Sequence, residues 1–246
     1  MVRSLLIRGM IVGVIAGLLA FGFARVFGEP QVDSAIAFED QMHQAMHMGA
    51  EAEMVSREVQ STIGLFTGVV VYSAAFGGLF ALVFAYASGR IGNVGPRATA
   101  AILAAAVFVA IVLVPALKYP PNPPAVGDAD TIRFRSGMFF LMMAISVAAM
   151  AAAFAAARRL AGRFGGWNGA LMAAGGFVVV VAAALWLLPA INEVPEQFPA
   201  VVLWRFRVAS LGIELILWTV IGLLFGALTE RSLAAGYRGH PRPALS

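Results

Sequence analysis

The chain contains no cysteine. Disulfides, zinc–thiolate sites, thiol nucleophiles and iron–sulfur clusters are thereby excluded. Charge is scarce as well: 12% of the 246 residues are Asp, Glu, Lys or Arg, against about 25% in average globular usage. Of the 17 basic residues only Lys118 is a lysine. A soluble domain of this length could not cover its surface with so few charges. What is there instead is apolar: 61% of residues are hydrophobic and the mean hydropathy is +0.86. That is the composition of an integral membrane protein. The net charge of +4 comes from arginines scattered between apolar runs and does not point to nucleic acid.

Motifs of catalysis are also lacking. No Gly-x-x-x-x-Gly-Lys-Ser/Thr phosphate loop occurs, which excludes ATP hydrolysis by that route. No His-Glu-x-x-His and no Gly-x-Ser-x-Gly occurs either. With no nucleophile–base pair visible, the expectation is a protein that is not an enzyme and holds no permanent cofactor.

A helix needs about 20 apolar residues to cross the hydrocarbon core. Six stretches qualify, over about 5–27, 61–87, 98–117, 136–157, 169–188 and 208–229. The expected fold is all-α, a single membrane domain over 1–246. The first stretch is too long for the apolar part of a secretory signal, so it reads as a spanning helix. Basic residues near helix ends favour one side by ten to seven, and eleven of the 13 acids lie on the other. By the positive-inside tendency both termini are expected in the cytoplasm, in a multi-pass protein of the cell inner membrane. Three longer loops, 28–60, 118–135 and 189–207, are then expected outside, so the helices form three outward-looped hairpins.

Two of these hairpins look alike. Val114-Pro115-Ala116-Leu117, a proline-rich loop and Ile132-Arg133-Phe134-Arg135 match Leu188-Pro189-Ala190-Ile191, Pro195, Pro199 and Trp204-Arg205-Phe206-Arg207. The order suggests a parallel internal repeat. Arg57 before the second helix makes a weaker third copy. Small residues spaced by four (Gly9, Gly13 and Gly17; Gly64 and Gly68; Gly222 and Gly226) predict close helix contacts within the chain, with a homo-oligomer face as the alternative.

Three groups of residues could carry chemistry. On a helix, Glu39, His43 and His47 recur every four residues, with Met46 on a neighbouring stripe. Imidazole, thioether and carboxylate together suit intermediate divalent metals, so this is the candidate metal clip. Glu214 lies seven residues after Arg207, about 10 Å deeper on the same helical face. A carboxyl group in hydrocarbon normally faces a partner or a wet cavity, which makes Glu214 the candidate for a transport path. Arg133, Arg135, Arg205 and Arg207 run against the positive-inside bias. They are expected to line an outer vestibule, bind lipid phosphates or pair with loop carboxylates such as Glu193 and Glu196. The segment Lys118 to Pro124, with Pro120, Asn122, Pro123 and Pro124, should form a stiff cap over the helix ends.

The sequence resembles the CbtA family of predicted cobalt transporter subunits over nearly its whole length. The resemblance rests on Met54-Val55-Ser56-Arg57-Glu58-Val59-Gln60-Ser61, on Ala116 to Gly127 with its Lys118-Tyr119-Pro120-Pro121-Asn122-Pro123-Pro124 core, on Leu188 to Pro199, and on Leu203-Trp204-Arg205-Phe206-Arg207. It implies uptake of cobalt, as substrate, beside a small single-helix subunit with a histidine-rich tail. The first expectation is therefore a transport subunit that moves a divalent transition-metal cation into the cell. The alternative is a non-transporting membrane scaffold that recruits or stabilises a partner subunit. Nearly clean helices and cation-repelling arginines favour the latter.

Overall fold

A computed structural model describes residues 2–45, 55–92 and 94–238. All regular structure in them is helical. Six helices are long and apolar enough to cross a membrane: α1 (Val2–Ala45), α2 (Arg57–Ala87), α3 (Pro96–Lys118), α4 (Ile132–Phe164), α5 (Gly166–Leu187) and α6, which runs from Ala200 to Arg238. The chain is a multi-pass helical membrane protein.

Their number and order match the apolar stretches, but several ends do not. The stretch after Phe27, expected as loop, is helical to Ala45. The helix continues through a π-helical segment, Ala24–Gly28, that ends two residues before the proline. Proline has no N–H to donate and its ring crowds the preceding turn; the wider turn makes room. The same arrangement recurs in α3, where the π-helical segment Phe108–Leu113 comes just before Pro115. At 44 residues, α1 is about 66 Å long, roughly twice the hydrocarbon thickness, so its second half projects beyond it. Helix α4 likewise continues to Phe164, and Gly165 alone separates it from α5. Both Arg-Phe-Arg segments lie inside helices rather than in loops.

The main core joins α1, α2, α3 and α6 through Val12, Phe80, Phe84, Leu103, Leu217 and Phe225. A second, smaller core joins α3, α4 and α5 around Met142. Helices α1 and α2 pack most closely. A Cβ added at Gly77 would lie 2.2 Å from the Gly9 carbonyl oxygen, and one at Gly13 would lie 2.3 Å from that of Ser73. Gly222 and Gly226 meet Ala104 and Ala100 of α3 in the same way. The expectation failed at Gly64 and Gly68. A Cβ at Gly68 meets nothing within 4 Å, and one at Gly64 meets only its own helix at Val59.

The two ends of the bundle differ. At one end the long connections meet: Ala35 and Phe38 of the projecting α1 pack on Val126 and Phe198. At the opposite end, Arg97 pairs with Glu230 at 2.7 Å and Arg8 donates to Thr229. Trp167 and Trp186, at the start and end of α5, are 77% and 84% exposed. Nineteen residues of helix separate them by about 28 Å, close to the hydrocarbon thickness of about 30 Å. Their exposure and spacing fit the two interfaces of an aromatic belt.

At the long-loop end Arg57 is paired with Glu29 and, at 2.9 Å, with Asp33. The Glu29 side chain is only 8% exposed. Arg57→Ala is expected to lower stability by about 3 kcal/mol, because it strands a buried carboxylate. Thermal unfolding of the purified protein checks this. Adding Glu29→Gln should recover part of the loss, since the two effects share one contact.

Candidate functional site

The two proline-containing connections fold against each other rather than apart. Lys118, the last residue of α3, donates from Nζ to the Leu185 carbonyl at 2.6 Å and so caps the final turn of α5. The Tyr119 hydroxyl donates to the Pro189 carbonyl at 2.9 Å. Pro123 is buried, Pro124 is exposed, and the Val126 amide closes a turn on the Pro123 carbonyl. Ala125 and Gly127 take positive φ in this turn. A side chain at Gly127 would also push the Arg135 guanidinium aside, because a Cβ would fall 2.0 Å from it.

Glu193 holds the two connections together. It accepts from the Asp128 amide at 2.8 Å and from the Thr131 hydroxyl at 2.7 Å. Arg135 lies 3.2 Å away as an ion pair, with Nε off-line for a hydrogen bond; its Nη2 donates instead to the Asp128 carbonyl. These contacts, led by the Asp128 amide, hold the Glu193 carboxyl below the ordinary glutamate range. The sign follows from linkage: the clasp contributes stability above the unfolded carboxylate value of about 4.3 and loses it as pH falls through the lowered folded value. The protection of the Asp128 amide against hydrogen exchange, taken relative to its intrinsic rate, is therefore expected to fall as pH drops through the lowered Glu193 value. In Glu193→Gln that pH dependence should vanish.

Beneath the clasp lies a cleft of about 1000 Å³. Its walls come from α2, α3, α4 and α6, and its lip from both connections. The lip is polar: Asn122, Asn192, Glu193, Arg135 and Arg207 all face into it. Arg207 donates from Nε to the Pro121 carbonyl at 3.3 Å and from Nη2 to Asn122 Oδ1 at 2.8 Å. No carboxylate pairs with it among the described residues. The deeper walls are apolar, with Phe76, Ile111, Val112 and Phe139.

Glu214 lines the same cleft on α6, on the face shared with Arg207, as the spacing predicts. Tyr72 of α2 and Trp218, one turn further along α6, present their polar atoms to it. The Trp218 contact does not close well: Glu214 Oε2 and Trp218 Nε1 are buried without a hydrogen-bond partner of good geometry. A buried carboxylate oxygen without a partner is costly.

The remaining expectations fare unevenly. Within each Arg-Phe-Arg segment the second arginine, Arg135 or Arg207, faces the cleft. The first, Arg133 or Arg205, is exposed and has no ion pair among the described residues. Glu196 is exposed and unpaired in the same sense. Pro115 lies inside α3, whereas Pro189 follows the end of α5, so the two similar segments are not folded alike. Glu39 and His43 are half-buried on the projecting part of α1, while His47 and Met46 lie outside the described residues. No group of three or more His, Asp or Glu suited to a metal ion occurs among the described residues. Trp218 was findable in the sequence, four residues after Glu214. Tyr72 was not, because one tyrosine in an apolar helix carries no signal.

These features define a polytopic helical membrane protein with a polar-lipped cleft running from a clasped loop end toward the half-buried Glu214. A family model described as a probable cobalt transporter subunit (CbtA) matches residues 2–230. The chain belongs to the CbtA family. A lipid bilayer is thus its medium, and the subunit description implies a partner. No curated protein and no solved structure matches the chain.

Proposed function

We propose that the chain is the membrane-embedded part of a cobalt importer, with the long-loop end outside, the termini in the cytoplasm of a bacterial cell and the cleft as the entry path. The observation that carries this reading is the meeting of a large cleft with Glu214, whose buried carboxylate oxygen lacks a partner. Acidic residues around the long-loop end would raise the local cation concentration. An inward membrane potential of 100 mV supplies about 2.3 kcal/mol per charge, and twice that for Co²⁺. Catalysis has no part in this reading.

The test is uptake of ⁵⁷Co²⁺ by cells stripped of their own cobalt importers. The chain is expressed alone and then with a small histidine-rich membrane subunit. Uptake above the empty vector in either combination is the expected result. No uptake in both, with the protein present in the membrane, would favour the scaffold. One observation supports that second reading already: two guanidinium groups line the cleft and repel a bare cation.

A further inference from the structure

The cleft is amphipathic along its length. At the loop end it carries Arg207, Asn122 and Asn192; deeper it is lined by Phe139, Phe140 and Met143. Two of its lining residues, Tyr72 on α2 and Phe140 on α4, are 45% and 62% exposed. Both lie within spanning helices, so accessible, mainly apolar surface lines the cleft at membrane depth. The Arg207 guanidinium offers five N–H donors. Its hydrogen bonds go to neutral oxygens of Pro121 and Asn122, and its charge is not neutralised by any described carboxylate. Trp204, 68% exposed one turn earlier on α6, places Arg207 near the membrane interface.

We infer that the cleft is a binding site for one anionic phospholipid, with the headgroup phosphate on Arg207 and an acyl chain along the apolar wall between α4 and α6. Charge complementarity selects this occupant. A planar guanidinium recognises a phosphate bidentately, and basic pockets between membrane helices hold lipid headgroups in this way. An apolar partner helix would bring no anion for Arg207. A bare divalent cation would be repelled by it. A free phosphate would leave the apolar wall unfilled. Lipid in the cleft and a cation moving toward Glu214 would use the same space, so the lipid would have to shift for passage.

The test uses the full chain purified in detergent and native mass spectrometry. Phosphatidylglycerol and phosphatidylcholine of identical acyl chains are offered in equal amounts. The wild type is expected to retain one phosphatidylglycerol at least tenfold over phosphatidylcholine. Arg207→Gln should bring the two lipids to parity. Arg205→Gln, at an exposed arginine that does not line the cleft, should leave the preference intact. Met143→Trp, which fills the apolar wall and keeps Arg207, should also lose the lipid. Inorganic phosphate at millimolar concentration should not displace it. Parity in the wild type, equal loss in Arg205→Gln, retention in Met143→Trp or displacement by phosphate would each overturn the assignment. If Arg207→Gln does not fold, the wild-type preference and Met143→Trp decide. None of these readouts depends on cobalt uptake, so the site stands or falls separately from the transport reading.

Discussion

Glu214→Gln is expected to lower cobalt uptake at least tenfold while leaving the amount of protein in the membrane unchanged. The substitution keeps the size and planarity of the side chain and removes its capacity for negative charge. Glu214 is the one carboxylate among the described residues that lies within the bilayer-spanning part of the cleft. At contact distance a unit charge pair is worth about 4 kcal/mol at an effective dielectric near 20, and a divalent ion feels twice that. Even partial loss of such a term is many-fold in rate or affinity. Glu214→Asp should retain a measurable fraction of uptake, because it keeps the charge. Unchanged uptake in Glu214→Gln would remove this carboxylate from the path. Abundance measured in the same membranes separates a transport defect from a folding one.

Gly77→Val should disrupt the bundle itself. Already the first added carbon would lie 2.2 Å from the Gly9 carbonyl oxygen and 2.9 Å from the Gly13 Cα. Those atoms are backbone and cannot swing aside, so α1 and α2 must separate. Overpacking of this kind costs typically about 1–3 kcal/mol, and more where backbone is struck. A loss of about 3 kcal/mol shifts the folding equilibrium roughly a hundredfold. Gly68→Val on the same helix, where the added carbon meets nothing within 4 Å, should change stability by less than about 0.5 kcal/mol. Thermal unfolding and size-exclusion profiles of the two variants side by side isolate helix contact from helix propensity. Equal effects would mean that the α1–α2 contact is not what the glycines serve.

The six spans were legible because bilayer thickness sets a length that apolar runs reveal directly. Helix ends were not. Gly28 and Pro30 carry the chemistry of a stop signal, yet a π-helical turn absorbs them. That compensation is a property of backbone hydrogen bonding with no residue signature of its own. At the site, a seven-residue spacing was enough to put Arg207 and Glu214 on one face. The alternation within Arg-Phe-Arg did not say which arginine turns inward; the helical rotation of α4 and α6 decides it, selecting Arg135 and Arg207. The partners of Glu193 come from a connection 62 to 65 residues away. Pairings of that range are written in tertiary structure and leave no local trace.

The position of α6 has a consequence for how the protein is made. This last helix is wedged against both α1 and α3, with Leu217, Trp218, Ile221 and Phe225 buried in the main core. Its Thr229 receives Arg8 across 221 positions of chain. A ribosome adding about 5–20 residues per second takes roughly 10–45 s to cover that interval. From the completion of α3 at Lys118, about half of that time, α1 and α2 can be locked together while α3 waits with its contact face turned to lipid. The bundle is therefore sealed from its end backwards, and a chain released before α6 would present an open flank to the membrane's proteases and chaperones.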